Sequence, residues 1–332
     1  MIRSFAYTNQ GALHEQDIEP FVMPTVLADT SLFLWVDLED PTPEESRLVL
    51  ENIFHFHPLS IEDATKETLA PKVEEYEPKE DDSFAPYLFV AIHAVDYSRK
   101  DGVFATSELN FFLGKNFLVT VHDLAMKAVT VTAELSRRPK SKVFRSPDRV
   151  AYTLLDSLVD HYKPALDELS LELARLETEV IEDPSQSTMH KILGIKREVL
   201  HLRQIIGPQR EVLHRFALGH FGLIRPKMLP YFRDVYDSLF RISDMAQGYA
   251  DSLTGILHVY LSMVSNQTGD VVKLLTLITV ITTPMMVLGT WYGMNFRNMP
   301  ELALPNGYGT IALIAASSTV VTYWYFKRKR WL

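Results

Sequence analysis

The hydrophobic pattern changes character three times along the chain. Up to about residue 140, apolar residues come in short runs rich in aromatic and β-branched side chains. The runs at 2–8, 32–38, 87–95, 108–113 and 117–122 predict strands, with Leu113-Gly114-Lys115-Asn116 as a hairpin turn between the last two. Thr42 before Pro43 and His57 before Pro58 predict helix starts, and 124–138 predicts a third helix. An α/β domain over 1–147, with helices on both faces of the sheet, is expected.

From residue 148 the strand signals stop. Residues 150–182 read as one helix, broken by Asp183-Pro184-Ser185, and 186–216 as a second with Pro208 inside it, a helical hairpin over 148–229. Its first arm carries Asp167, Glu168, Glu172, Glu177, Glu179 and Glu182; its second carries Lys191, Lys196, Arg197, Arg203, Arg210 and Arg215. Two solvated faces that attract each other account for this, and an acidic patch holding hydrated cations is the sharper alternative.

The third pattern is helical and long. Val235, Leu239, Ile242, Ala246, Tyr249, Leu253, Ile256 and Tyr260 recur at alternating spacings of four and three, a heptad seam that runs into an apolar stretch at 271–292. One helix over 231–292 would be about 90 Å long, and its seam predicts a bundle and hence an oligomer. The stretch 271–292 holds one charge, Lys273, and 308–326 holds none. Each can cross a hydrocarbon core, which needs about 20 helical residues. The expected fold is therefore an α+β membrane protein: an N-terminal cytoplasmic α/β domain, a helical hairpin, a stalk at 230–270 and a first span at 271–295. An outer loop at 296–307, a second span at 308–326 and a basic tail at 327–332 complete it, assembled as a homo-oligomeric funnel.

A pore-lining helix carries its polar residues on one stripe. At about 100° per residue, Leu275, Thr276, Thr279, Thr283, Met286 and Thr290 all fall within about 60° of Val272. One such threonine would simply bond its own backbone. Four on one stripe predict a pore, with Val272, Leu275 and Met286 as apolar constrictions that gate by dewetting. Ser317, Ser318 and Thr322 of the second span form no such line, which assigns that span to a lipid-facing ring.

Composition narrows the function. The 332 residues carry a net charge of −9, which argues against a nucleic-acid surface. There is no cysteine, so disulfides and thiolate metal sites are excluded. No phosphate loop, His-Glu-x-x-His, nucleophile elbow or ferrous triad supports an enzyme. The first residues hold no apolar run long enough for a signal peptide, and Lys327-Arg328-Lys329-Arg330 follows the second span directly. Both termini are thus expected in the cytoplasm, with the spans in the inner membrane.

Between the spans stands Tyr292-Gly293-Met294-Asn295, followed by Met299-Pro300-Glu301-Leu302. With Tyr231-Phe232-Arg233-Asp234-Val235-Tyr236-Asp237, Val264-Ser265-Asn266 and a tail ending Trp331-Leu332, the chain resembles the CorA family of divalent-cation channels. The resemblance covers nearly the whole chain, weakly in the first hundred residues. It implies a homopentameric channel for magnesium, with cobalt and nickel as further ions, in which Gly293, Met294 and Asn295 bind the incoming hydrated ion. Neutral oxygens suit that task, because magnesium gives up its water reluctantly. Glu301 would raise the local cation concentration. The family also implies regulatory divalent sites between neighbouring cytoplasmic domains, at Glu62, Asp63 and Asp234. Locally, Asp63 also reads as a helix-start residue and Asp234 as a partner of Arg233 or Lys227.

Two positions depart from the family. Gly269 stands where an asparagine is common, with Asp270 as a partial replacement. His258 stands where an aspartate is common, as a seam residue or as a pH-sensitive or softer-metal ring. The alternative function is a zinc transporter of the ZntB type, with proton coupling. That branch usually carries isoleucine where this chain has Met294.

Overall fold

The computed structural model describes residues 1–66, 70–79, 83–100, 103–136, 143–295, 299–300, 304–329 and 331. It divides into two compact units, Met1–Glu179 with Ser185–Ile256, and Val180–Pro184 with Leu257–Leu332.

The first unit is built on a seven-stranded sheet in the order β2-β1-β3-β7-β6-β5-β4. The strands are β1 Ile2–Thr8, β2 Leu13–Gln16, β3 Leu32–Glu39, β4 Lys72–Tyr76, β5 Tyr87–Lys100, β6 Val103–Gly114 and β7 Phe117–His122. Only β3 and β7 pair in parallel. Side chains alternate along β3. Leu34, Val36 and Leu38 join Phe89, Phe112, Val119 and Val121 in a core with Met23 and Val26 of α1 (Met23–Ala28) and Ala64 of α3 (Pro58–Thr65). Trp35, on the other face, stacks with Phe5 and Phe144. α5 (Pro147–Asp160) lies on β3, β5, β6 and β7, and α7 (Gln186–Leu218) on β4, β5 and β6.

The local signals explain most of these elements. Thr42 and Glu45 form a reciprocal capping box at the start of α2 (Pro43–Ser46), which continues as a π-helical stretch, Arg47–Ile53. The His57 ring accepts the Leu59 N–H at the start of α3, and α4 is Lys127–Ser136. A Cβ on Gly114 would lie 2.2 Å from the Phe117 ring, so the turn before β7 needs glycine. The edge strands β2 and β4 were not expected: β2 is exposed throughout, and neither carries the apolar alternation that marks a half-buried strand. The single helix expected over 150–182 is two, α5 and α6 (Tyr162–Glu182). Pro164 has no N–H for the Asp160 carbonyl and its ring crowds that oxygen, so the helix parts at His161.

α8 runs unbroken from Leu229 to Tyr292. Phe216 meets Phe232, His214 meets Tyr236, and the Arg210 guanidinium sits over the Phe240 ring, so α7 and α8 run antiparallel. The seam is covered in consequence: Val235, Leu239, Ile242, Ala246, Leu253 and Ile256 are all buried. The seam is expected to need neighbouring subunits; a single chain buries these six of its eight residues and leaves Tyr249 and Tyr260 half-buried. His258 is exposed, about 200° around the helix from Ile256, and is no seam residue.

The second unit holds the remainder of α8 and α9 (Gly307–Arg328), both long and apolar enough to cross a membrane. On α8, Leu277 is buried and Ile281, Pro284 and Leu288 are half-buried; on α9, Gly307 and Ala315 are buried and Ile311, Ser318 and Thr322 half-buried. In a unit of two spans and one short segment, these are the faces the spans can turn to each other. Small residues on α9 permit close approach of the backbones. Ser318 and Thr322 therefore lie on a covered face, while Ser317 is exposed.

Candidate metal-ion pathway

The covered face of α8 locates the uncovered one. Leu277, Ile281, Pro284 and Leu288 cluster on one side of the helix. At about 100° per residue, the stripe from Val272 to Thr290 is centred roughly 180° away. Val272, Leu275, Thr276, Thr279, Thr283, Met286 and Thr290 are all exposed. Val272, Leu275 and Met286 show 57%, 64% and 66% of their surface, and Val271, Leu274 and Met285 on other sides of the span are similarly exposed.

Each stripe threonine bonds its own backbone. The hydroxyls donate to the carbonyls four residues back: Thr276 to Val272 at 2.8 Å, Thr279 to Leu275 at 2.9 Å, Thr283 to Thr279 at 2.6 Å and Thr290 to Met286 at 2.6 Å. This is the ordinary behaviour of threonine in a membrane helix. A hydroxyl has one proton and two lone pairs. With the proton held by the backbone, the oxygen faces the stripe as an acceptor. A row of neutral acceptors suits a cation whose outer surface is the O–H groups of its water shell.

The stripe leads to the end of the helix. The Gly293 N–H donates to the Gly289 carbonyl at 3.0 Å, and a Cβ on Gly293 would lie 2.9 Å from that same oxygen. Any side chain at Gly293 would push the last turn open. Met294 is half-buried and Asn295 exposed; among the described residues, the Asn295 amide makes no hydrogen bond within its chain. Glu301, expected to attract cations, lies outside the described residues. Asp270 falls about 160° from Val272 on the helix, so it does not restore the polar ring missing at Gly269.

The acidic positions of the first unit are arranged differently from their local expectations. Asp63 is no helix-start residue: it lies well inside α3 and pairs with Lys72, which also meets Glu74 at 3.3 Å. Burial works against the Lys72 ammonium, yet these two carboxylates raise its pKa. Glu62 pairs with Lys66. Asp234 is exposed on α8, and its neighbour Arg233 donates to the Ala217 carbonyl at 3.2 Å instead of pairing with it. The charge Asp234 acts on is that of Asp156 on α5. Burial, then Asp160 and Asp234, push the Asp156 carboxyl above its ordinary range. Nothing in the sequence marks Asp156 and Asp160, because only the packing of α5 beside α8 brings them near Asp234.

A third polar group sits on the sheet, where the β1–β3–β7 register places Arg3, Asp37 and Thr120 side by side. Asp37 accepts from Arg3 Nη2 at 2.6 Å, Thr120 Oγ1 at 2.6 Å and His122 Nε2 at 3.1 Å, while His122 Nδ1 donates to the Leu124 carbonyl at 2.7 Å. Asp37, Glu39 and His122 have the donors of a metal site. Arg3 already bridges Asp37 and Glu39, so the positive charge a metal would supply is present. Burial opposes both ions of the pair, and their mutual hydrogen bond and attraction outweigh it. His122 is raised above its ordinary pKa and Asp37 lowered below its own.

An α/β unit, one continuous helix and a pair of membrane-length helices, with Gly-Met-Asn after the first of them, are the parts of an ion-transporting membrane protein. Residues 31–328 match the family model described as CorA-like Mg2+ transporter protein, and the chain belongs to that family. It is 32% identical over 305 residues to the cobalt/magnesium transport protein CorA of Thermotoga maritima, covering 92% of this chain and 85% of that one. Against the protein of the same name from Methanocaldococcus jannaschii it is 25% identical over the full length of both. The solved CorA magnesium transporter of Methanocaldococcus jannaschii superposes with a TM-score of 0.81 over 99% of this chain and 98% of that one, at 22% identity. The cytoplasmic domain of ZntB from Vibrio parahaemolyticus superposes with a TM-score of 0.60 at 12% identity, over 79% of this chain and 98% of that one, a likeness of fold.

Proposed function

We propose that this chain is the subunit of a homopentameric channel that takes up magnesium, with cobalt and nickel as further ions, across the inner membrane. One observation carries the proposal. Four threonines lie on the α8 face opposite Leu277, Ile281, Pro284 and Leu288, in the helix whose end leads into Gly293-Met294-Asn295. Copies of α8 arranged around an axis would turn these stripes to a common lumen. In this reading Gly293, Met294 and Asn295 receive the hydrated ion at the outer mouth, with Glu301 in the 296–307 loop concentrating cations there. The acceptors of Thr290, Thr283, Thr279 and Thr276 pass the ion inward through its water shell. Rings of Met286, Leu275 and Val272 close the path when they approach closely enough to dewet. Both termini lie in the cytoplasm, and the protein works as a transporter and not as an enzyme.

Cytoplasmic magnesium acts on the same subunits at Glu62, Asp63 and Asp234. The pairing of Asp63 with Lys72 sets a condition: an ion there must displace an ammonium, so occupancy requires a concentrated cation and emptying is easy. A shift from 1:99 to 99:1 needs about 5.5 kcal/mol, on the order of 1 kcal/mol for each of several interfaces.

The test is ion uptake by proteoliposomes containing the full chain, with magnesium, cobalt, nickel and zinc offered singly, with and without a proton gradient. Magnesium uptake that needs no proton gradient is expected. Uptake of zinc alone, driven by protons, would replace this reading with the zinc-transporter one.

A further inference from the structure

The edge strand β4 brings a cation to the acidic positions of α3. Alternate residues of a strand point the same way, so Lys72, Glu74 and Tyr76 project from one face of β4. The Lys72 ammonium donates to Asp63 Oδ2 and, at 3.3 Å, to Glu74 Oε1. The other Glu74 oxygen, Oε2, accepts from Tyr76 Oη at 2.9 Å. Tyr76 in turn stacks on Tyr87, with ring centroids 5.0 Å apart and planes 8° from parallel. Tyr87 Oη accepts the His57 N–H at 3.0 Å and lies 2.7 Å from Ser60 Oγ, both at the start of α3. Glu74 is therefore tied to the helix that bears Asp63 by contacts that do not involve the ammonium.

A tethered ammonium is a competitor that cannot diffuse away, and its local concentration is set by the tether. A monovalent ion arriving at Asp63 would exchange one unit charge for another and gain nothing over that rival. A divalent ion brings twice the attraction at the same distance. The ammonium it displaces keeps Glu74 as a partner, so the exchange strands no charge.

We propose that Lys72 is a specificity-determining residue of the regulatory site at Asp63. It holds the site against potassium and sodium and yields it to a divalent cation, with Glu74 as the resting place of the displaced ammonium. This rests on the reading of Asp63 as a regulatory ligand and adds to it the residue that excludes monovalent ions.

The experiment uses the full chain in detergent. It reads the magnesium concentration that half-protects the chain from a protease, in potassium chloride and in choline chloride of equal ionic strength. Wild type should give the same half-point in both salts. Lys72→Met removes the charge and keeps an unbranched stem beside the Phe89 ring, which lies 5.6 Å from the ammonium. Its half-point should fall roughly three- to tenfold in choline, the worth of one partly exposed charge pair. In potassium, which can then enter the site, it should rise again. Lys72→Arg should behave as wild type. Glu74→Gln should raise the half-point when Lys72 is present and leave it unchanged beside Lys72→Met, because Glu74 acts through the ammonium. A half-point unmoved by Lys72→Met, or lowered equally in the two salts, overturns the proposal. So does an equal rise with Glu74→Gln in both backgrounds. Asp63→Ala separates the two readings: protection that persists without Asp63 sinks the regulatory site itself, whereas protection lost there but unmoved in Lys72→Met sinks the role of Lys72 alone.

Discussion

The two halves of α8 share one helix and use it in opposite ways. In the stalk half, Val235, Leu239, Ile242, Ala246, Leu253 and Ile256 face inward and are buried by their own chain. In the membrane half, the stripe from Val272 to Thr290 faces outward and is exposed. Both show regular periodicity, so periodicity alone does not say what a face meets. The difference lies in what else the chain brings alongside. The stalk half has α7 running antiparallel beside it, and the Phe216–Phe232 and His214–Tyr236 contacts set that alignment. Among the described residues, the membrane half has one further span in its unit, and one helix covers one side of another.

That contrast can be broken at either end. The largest effect is expected in the stalk. Leu239→Ala should destabilise the protein by about 2–5 kcal/mol, the usual cost of a cavity in a packed core. Because the seam is filled within the chain, the loss should appear in dissociated subunits as much as in the assembly. Thermal unfolding in detergent at several protein concentrations checks this, and a loss confined to the assembly would return the seam to the subunit interface. At the other end of the helix, Asn295→Ala should leave unfolding unchanged. It should weaken capture of the hydrated ion by about 1.5–3 kcal/mol, the worth of a hydrogen bond to a charged group, or roughly ten- to a hundredfold. Saturation of magnesium uptake against external concentration measures it, and wild-type saturation would remove Asn295 from the pathway.

A smaller change is expected for Thr279→Val with Thr283→Val. Valine keeps the shape and removes the acceptors, so stability should move by less than about 0.5 kcal/mol, as at other uncovered sites. Magnesium uptake should fall. Unfolding at lower temperature with unaltered uptake would mean these threonines are packing residues.

The mildest test varies pH. The stripe from Val272 to Thr290 has one titratable neighbour, Lys273, and its lining residues have none, so selectivity should be constant between about pH 5 and 8. Stability should not be constant. His122, raised above its ordinary 6.5, contributes fully below that value and loses its contribution as pH climbs through its folded pKa. Asp37, lowered below 3.8, contributes above that value and loses its contribution as pH falls through its folded pKa. The sheet unit should therefore be most stable between about pH 4 and 6.5. Thermal unfolding of wild type and His122→Gln across that range tests it; in the variant, the decline on the alkaline side should disappear.

Several features follow from sequence because their physics is local. The central strands β1, β3 and β7 alternate or run apolar over a few residues, and Thr42 and His57 start helices with groups that lie two or three positions away. Two spans are legible because hydrocarbon demands about 20 apolar residues in a row. The threonine stripe is legible because one helix repeats every 3.6 residues, and Gly293-Met294-Asn295 because the motif is contiguous. The break before Pro164 is local too, and a strongly amphipathic run on its N-terminal side masks it.

What only the tertiary structure decided are the relations between elements distant in the chain. Which face of α8 stays uncovered depends on where α7 and α9 lie. Asp63 is held by Lys72 across nine residues, and the packing of α5 beside α8 sets the Asp156 carboxyl near the like charge of Asp234. The Arg3–Asp37–His122 network exists because register places three strands' polar residues on one line. Sequence determines each element's own periodicity, since that depends on backbone geometry alone. It does not display which surface another element will remove from solvent, since that is settled only when the whole chain has packed.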